Sequence, residues 1–530
     1  MNSPTPRVIS LIPLICGLMF AGGIMLGSKI NGHSAASDSN SSNKISAVLS
    51  FVKQNYVDSV NEDKLTDDAL VAMLQALDPH SDYFTAAQVK EMNEPMKGNF
   101  EGVGIEYNFI HDTIVVMVVI PGGPSEQAGL KPGDQLLSAN DTSIVGYTNK
   151  EDLVKARLRG PANTQVKVTY MRPGVTGIKT TSITRGSIPI YSIDAYYMMT
   201  SEIGYMRITR FSETTFDEFE RARDTLLDKG MKKLILDLRE NGGGLMDAAT
   251  SIADEFLPDG KLIVFTKGRT DGEQRTNATS KGKLEHMPFT VLVDENSASA
   301  SEILAGALQD NDRATIIGRR TFGKGLVQVQ QGLVDGSAFR LTIARYYTPT
   351  GRCIQKPYDK GLEAYESDEM NRYKHGELYS RDSIHFPDSL KYKTPGGKIV
   401  YGGGGIMPDN FIPLDTSGSS HYIDMLFRKD IFVMWALNFT FSNGDEWKKG
   451  GVEKFRKEFT IDDATLSKFA ILGEKNGVKI DAAELKNSSD IIKRYMRASL
   501  ARLYWGDNAF TMIVNDADTA VQNAVGELSK

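Results

Sequence analysis

The stretch "MPFTVLVDENSASASEILAGALQD" (residues 287–310) decides the architecture. Its first part, 287–294, is β-branched and aromatic, bounded by Pro288 and Asp294, and predicts a short buried strand. From Ser301 to Asp310 the apolar positions fall at helical spacing with a small-residue face, which predicts a helix. Between the two, Ser297, Ser299 and Ser301 stand on alternate positions. Ser299 followed three positions on by Glu302 is a capping-box pattern. A serine where a strand hands over to a helix could instead be a nucleophile, and this window alone leaves both roles open.

Upstream, "IGYMRITRF" (203–211) predicts a strand, "FDEFERARDTLLDKG" (216–230) an amphipathic helix and "KKLILDL" (232–238) another strand. The glycine-rich "RENGGGL" (239–245) follows, then a helix and the strand "KLIVFTK" (261–267). Beyond the helix at 301–310, "ATIIG" (314–318) reads as one more strand. Strands alternating with helices argue for an α/β core, a sheet covered by helices with its sites at strand ends.

The region before this core has another character. Residues 102–174 alternate short β-branched strands with glycine turns and hold one short helix near 149–158, which predicts a compact, mostly β module. "GVGI" (102–105) sets glycines beside a strand start, where backbone N–H groups could hold a carboxylate, although turns alone would also explain them. "AGLKPGDQLLSAN" (128–140) adds a helix start, a Pro-Gly turn and a strand. Together these resemble a PDZ domain. The resemblance implies that Gly102, Val103, Gly104 and Ile105 bind the free C-terminus of a peptide added as a strand beside the sheet.

From Ile45 to about Met96 the apolar spacing is helical, with a break at "DPHSDY" (78–83), and predicts a small helical arm. The residues after about 420 are mostly helical and charged, with Tyr504, Trp505 and Phe510 read as core or partner contacts. That lobe could grip the core, an adaptor or a second copy of the chain. At the N-terminus, "VISLIPLICGLMFAGGIMLG" (8–27) is uncharged and long enough to span a bilayer. "NGHSAASDSNSSNK" (31–44) follows as a polar tether. The expectation is a single-pass inner-membrane anchor with the catalytic body in the periplasm, or a secreted periplasmic form after signal cleavage.

Sixty-one basic against 67 acidic residues give a charge of −6, which argues against nucleic acid as a partner. Cys16 and Cys353 cannot staple a fold of 530 residues. "GRRTFGKGLVQVQ" (318–330) approaches a phosphate loop, but Gly325 stands where the magnesium-binding hydroxyl is needed. The seven histidines show no H-E-x-x-H spacing, no G-x-S-x-G elbow occurs, and no cofactor or metal is expected. A lysine base needs fewer parts than a histidine one. Lys324 sits between Gly323 and Gly325 with Phe322, Leu326 and Val327 beside it, a setting dry enough to hold an amine neutral near pH 7.

The run "SASASEILAGALQDNDRATIIGRRTFGKGLVQ" (297–328) resembles the catalytic region of the carboxyl-terminal processing proteases, S41-type serine peptidases. The resemblance implies Ser299 as nucleophile, Lys324 as general base and Gln328 as the residue orienting the amine. "LDLRENGGGL" (236–245) is similar to the family's D-x-R-x-N-x-G-G segment. It implies oxyanion N–H donors at Gly243 and Ala300, with Gly244 equally in register. "ARYYTPTGRCIQKP" (344–357) and "YGGGGIMPD" (401–409) also look like this family; "GRR" before "TFGKG" departs from its usual pattern.

The fold class implied is an α/β protease core, a mixed sheet with helices of the crotonase-like kind. It carries an inserted, mostly β PDZ domain, an N-terminal helical arm and a C-terminal helical region. The boundaries expected are 1–30 anchor or signal, 31–44 linker, 45–96 helical domain, 97–177 PDZ, 178–415 protease core and 416–530 helical region. The function implied is a serine endopeptidase that recognises the free C-terminus of protein substrates and cleaves nearby, with the PDZ module acting also as a gate. The alternative is a catalytically inert, membrane-tethered PDZ scaffold.

Overall fold

The structure is a computed structural model describing residues 39–146, 151–444 and 446–530. Two compact units make up the chain, Met1–Leu77 and Asp78–Lys530.

In the first unit, helices Ser39–Asn55 and Glu62–Gln75 are joined by a short turn. Asn61 caps the second helix, its side chain accepting the Lys64 N–H at 3.0 Å. The first helix starts inside the stretch expected as linker; residues 31–38 and the apolar run 8–27 lie outside the described residues. The membrane expectation is corrected here. Among the described residues no helix is long and apolar enough to cross a membrane. The two longest, Ser39–Asn55 and Ser489–Trp505, have 17 residues each and carry lysine, arginine or a run of polar residues, short of the ~20 apolar residues a span needs. The single-pass inner-membrane location, the placement derived from it and the membrane as a partner are therefore not retained.

The second unit is organised around a six-stranded sheet. Its strands are β1 (Ile193–Met198), β2 (Ile203–Ile208), β3 (Lys233–Asp237), β4 (Phe289–Val293), β5 (Thr315–Gly318) and β6 (Asn410–Phe411), paired in that order. The first pair is antiparallel and the rest are parallel. Every residue of β4 is buried, as a continuous apolar run predicts for a parallel strand covered on both faces. Helices α1 (Thr215–Asp228), α2 (Met246–Asp254) and α3 (Ala300–Asp310) cover one face through Phe219, Ile252 and Leu304. The other face, with Ile235, Leu292 and Ile317, is covered by Met512, Val521, Ala524 and Leu528. These four belong to the last helices, Asp507–Asn515 and Thr519–Ser529. The C-terminal region thus closes the core.

A second, five-stranded sheet places Leu326–Gly332 and Asp82–Phe84 on either side of Ala338–Tyr347. The PDZ sheet is antiparallel, with Ile105–Ile110 at its edge and Glu151–Leu158 as its helix. A ribbon of Asn99–Gly102 and Gly186–Pro189 leads in and out of it. The parallel strands β3, β4 and β5 all run toward the same end of the sheet, where the loops 238–245, 294–299 and 319–325 leave. Open α/β sheets form their sites at that end.

Candidate active site

The three serines have separate duties. The Ser297 hydroxyl donates to the Leu238 carbonyl at 2.8 Å and accepts the Asp294 N–H at 3.0 Å. Ser301 donates to the Asn241 carbonyl at 2.9 Å. Both are fully buried and bind the turn to the glycine loop. Ser299, partly exposed between them, has φ 55° and ψ −113°. A serine backbone there costs on the order of 1–3 kcal/mol and persists only where its surroundings hold it. One of those surroundings is Asp294, whose buried carboxylate accepts the N–H groups of Glu240, Asn296 and Ser297. Burial, and the Glu240 carboxyl beside it, push Asp294 up to about 7.

Gly243 presses directly on this turn. A Cβ there would stand 2.8 Å from the Ser299 Cβ and 2.6 Å from the Ala298 carbonyl oxygen, and φ is +99°, so only glycine fits. Its N–H donates to Asn241 Oδ1 at 2.9 Å, while the buried Asn241 amide donates to the Ile208 carbonyl at 2.8 Å. The Gly243 carbonyl accepts from the Phe211 N–H. That turns the following N–H, of Gly244, the other way. Among the described residues neither the Gly244 nor the Ala300 N–H has a hydrogen-bond acceptor.

Lys324 reaches the same place from the loop after β5. One residue ties the two loops together: Glu302, in the first turn of α3. Its carboxylate accepts the Ser299 N–H at 2.9 Å, the Lys324 N–H at 2.8 Å, the Gly323 N–H at 2.7 Å and the Thr321 hydroxyl at 2.5 Å. Burial pushes Glu302 up to about 7, and these four donors pull against it. The Tyr346 hydroxyl adds a second tie, 2.6 Å from the Lys324 carbonyl oxygen and 3.1 Å from that of Ser299. The Lys324 ammonium donates to Gln328 Oε1 at 3.0 Å, and burial, then Arg340, lower its pKa to about 8. No hydrogen bond joins it to Ser299 among the described residues.

The structure therefore brings Ser299, Ala300, Gly243, Lys324 and Gln328 together. Gly102, Val103, Gly104 and Ile105 lie apart, in the PDZ module. There Val103, Gly104, Ile105, Phe100, Tyr107, Lys155 and Leu158 line a groove between the edge strand and the helix. Gly104, at φ +76°, leaves 3.0 Å between a would-be Cβ and Ile188. Among the described residues the strand Ile105–Ile110 pairs on one side only, with Thr113–Val119, so its other edge can accept an added strand.

Residues 202–363 match the peptidase family S41 and residues 115–172 a PDZ domain. Residues 25–87 match the N-terminal domain of the activating protease CtpB, and 422–506 a family of unknown function. The carboxy-terminal processing protease CtpA of Bacillus subtilis is 36% identical over 65% of this chain and 73% of its own. The carboxy-terminal-processing protease of Bartonella bacilliformis is 39% identical over 58% and 71%. The chain belongs to the S41 carboxy-terminal processing protease family. A solved photosystem II D1 C-terminal processing protease, 30% identical, aligns over 58% of this chain and 88% of its own with a TM-score of 0.33.

The departure at "GRR" has a local account within this member of the S41 proteases. Arg319 pairs with Glu295 at 2.6 Å and Arg320 with Glu377 at 2.5 Å. The buried Arg372 donates to the Arg320 and Thr321 carbonyls. Arg320 and Arg372 thus fasten the Lys324 loop to the segment 372–377, while Arg319 ties it to Glu295 in the serine turn. Sequence reasoning placed Glu302 only as a cap and passed over Asn241, Asp294 and Tyr346. The three-residue spacing from Ser299 was the signal available for Glu302, and the turn Asp294–Ser297 that for Asp294; Asn241 and Tyr346 act across loops far apart in the chain.

Proposed function

We propose that this chain is a serine endopeptidase in which Ser299 is the nucleophile and Lys324 the general base. What carries this reading is the shared carboxylate of Glu302, which accepts the N–H of both residues and so sets one loop against the other. Supporting it are the strained Ser299 backbone, as nucleophile turns require, and a buried lysine shifted to about 8. The neutral Lys324 amine takes the Ser299 proton as Oγ attacks the scissile carbonyl. The negative oxygen that develops is held by the Ala300 N–H and by the glycine loop. Because Gly243 spends its N–H on Asn241, Gly244 is the better placed second donor in this conformation. Lys324 then returns the proton to the leaving amine, and water, activated by the same amine, releases the acyl group. The open edge Ile105–Ile110 and the glycines before it suit a substrate's free C-terminus.

Incubation of the full chain with an unstructured protein ending in apolar residues tests this directly. Cleavage by the parent and none by Ser299→Ala is expected; equal cleavage by both defeats the assignment. A second reading, an inert protease fold serving as a peptide-binding protein, draws on the missing Ser299–Lys324 hydrogen bond and the committed Gly243 N–H. Covalent labelling of Ser299 by a fluorophosphonate, lost in Lys324→Ala, would rule that reading out.

A further inference from the structure

The break "DPHSDY" between the N-terminal helices and the core has no part in the reactions above, yet it ends beside Lys324. Asp78 and Ser81 are buried. The Asp78 carboxylate accepts the His80 N–H at 2.8 Å, the Ser81 N–H at 3.0 Å, the Ser81 hydroxyl at 2.6 Å and the Thr342 hydroxyl at 3.1 Å. The Ser81 hydroxyl in turn accepts the Thr342 N–H at 3.1 Å. Thr342 is the cross-strand partner of Gln328, and the ladder shifts register between Val327 and Gln328. Such an irregularity re-aims a side chain. The turn meets that side chain: the Gln328 amide donates from Nε2 to the His80 carbonyl at 2.6 Å and accepts at Oε1 from Lys324 at 3.0 Å. The His80 ring is fixed separately, 2.8 Å from the Tyr365 hydroxyl and edge-on to that ring.

We propose that the turn Asp78–Ser81 is a positioning element for the base, its His80 carbonyl holding the Gln328 amide the one way round that leaves Lys324 able to take the Ser299 proton. The inference rests on the Ser299–Lys324 reading. A glutamine amide has a donor end and an acceptor end. A neutral lysine amine has two N–H bonds and one lone pair. With Oε1 toward Lys324, the amide takes an N–H and leaves the lone pair for Ser299. Turned over, Nε2–H would donate into that lone pair, and Oε1 would face the His80 carbonyl, acceptor against acceptor. The carbonyl therefore selects the orientation, and Asp78 selects the position of the carbonyl.

The charged groups facing Lys324 are Arg340 from the strand Ala338–Tyr347, Glu302 from α3 and Asp78 from the turn. His80, pushed down to about 4 chiefly by burial, is neutral there. Arg340 lowers the pKa of Lys324, while Asp78 and Glu302 raise it.

The test uses the full chain, a short fluorogenic peptide and titration of reactive Ser299 with a fluorophosphonate. For Asp78→Asn we expect kcat per titrated site to fall about tenfold with KM little changed, since sub-ångström misplacement of a base costs that much. The rising limb of its pH profile moves to lower pH, because a raising charge is gone. Tyr365→Phe, which releases the His80 ring and removes the hydroxyl that Gln355 Nε2 reaches at 3.5 Å, should lower kcat several-fold without moving the limb. A turn that merely supports the fold would lower the yield of titratable protein and leave kcat per site and the limb as in the parent; that result overturns the proposal. If Asp78→Asn does not fold, Thr342→Val and Tyr365→Phe carry the same kcat test. Lys324→Ala separates the two levels. Parental kcat in that variant sinks the Ser–Lys reading itself. An inactive Lys324→Ala beside parental Asp78→Asn and Tyr365→Phe sinks only the role of the turn.

Discussion

Glu302 is fully buried, and three N–H groups and a hydroxyl point at its carboxylate. Glutamine in its place would keep the size but turn an N–H₂ toward donors, breaking the tie between the Ser299 and Lys324 loops. Glu302→Gln should therefore cost roughly 100-fold in kcat on a short peptide, the loss expected when reacting groups shift by about 1 Å. Retained kcat would show that the loops keep their register without it. Gly243→Ala is the complementary case, since its methyl would meet the Ser299 Cβ at 2.8 Å. It should abolish fluorophosphonate labelling while far-ultraviolet circular dichroism stays unchanged. The pH dependence follows from Lys324. Burial lowers it from the ordinary lysine value to about 8, and only the neutral amine is a base. Activity on a short peptide should rise with pH through about 8 as one proton leaves. A profile still climbing beyond pH 10, where an exposed lysine titrates, would remove Lys324 from that role.

The elements of the core were legible in the sequence because each has a local signal. Buried strands such as 289–293 read as continuous apolar runs, and the serine turn read as a strand-to-helix junction. The roles of Ser297 and Ser301 were not legible. Their hydroxyls bond to Leu238 and Asn241, some sixty residues away, and spacing cannot show that. For the same reason the "DPHSDY" break read as a helix end and not as a neighbour of Gln328, which lies 248 positions on. The last helix shows a third kind of gap. Thr519–Ser529 has helical spacing, but nothing local says that Val521 and Ala524 cover Ile235 and Leu292 of the central sheet. Val521 is fully buried, so Val521→Asp places an unpaired charge against that face. It should cost several kcal/mol, visible as a lowered Tm. At low temperature kcat per titrated Ser299 should stay near the parent's, because the site lies off the covered face. A Tm within a degree or two of the parent's would mean that the helix does not close the core.

At the scale of the molecule, the PDZ module is joined to the rest by more than its ribbon. Leu437 packs on Val115 and Met117, and Arg502 pairs with Glu106 on the edge strand Ile105–Ile110 at 2.9 Å. Asp430, whose carboxyl burial pushes up, has Asn108 of the same strand beside it, which acts in the opposite direction. The helices that meet the module, Ile431–Asn443 and Ser489–Trp505, share a core with Asp507–Asn515, which together with Thr519–Ser529 covers the central sheet, so one packed lobe touches both the module and the sheet. A tail entering beside Ile105–Ile110 must align with Glu106 and Asn108, the residues that the lobe already engages. Deleting the module would strip Val115 and Met117 from Leu437 and confound any effect on rate with unfolding. A gentler experiment supplies a free apolar-ended peptide in trans while the full chain hydrolyses a short reporter that cannot reach the groove. Because Ser299 and Lys324 are near one another but not bonded, tail binding that shifts the lobe is expected to raise kcat on the reporter several-fold. Gly104→Val, whose side chain would meet Ile188 and Pro124, should abolish that response and leave the unstimulated rate intact. A reporter kcat indifferent to the added peptide would reduce the module to a tether that concentrates substrate and does nothing to the dyad.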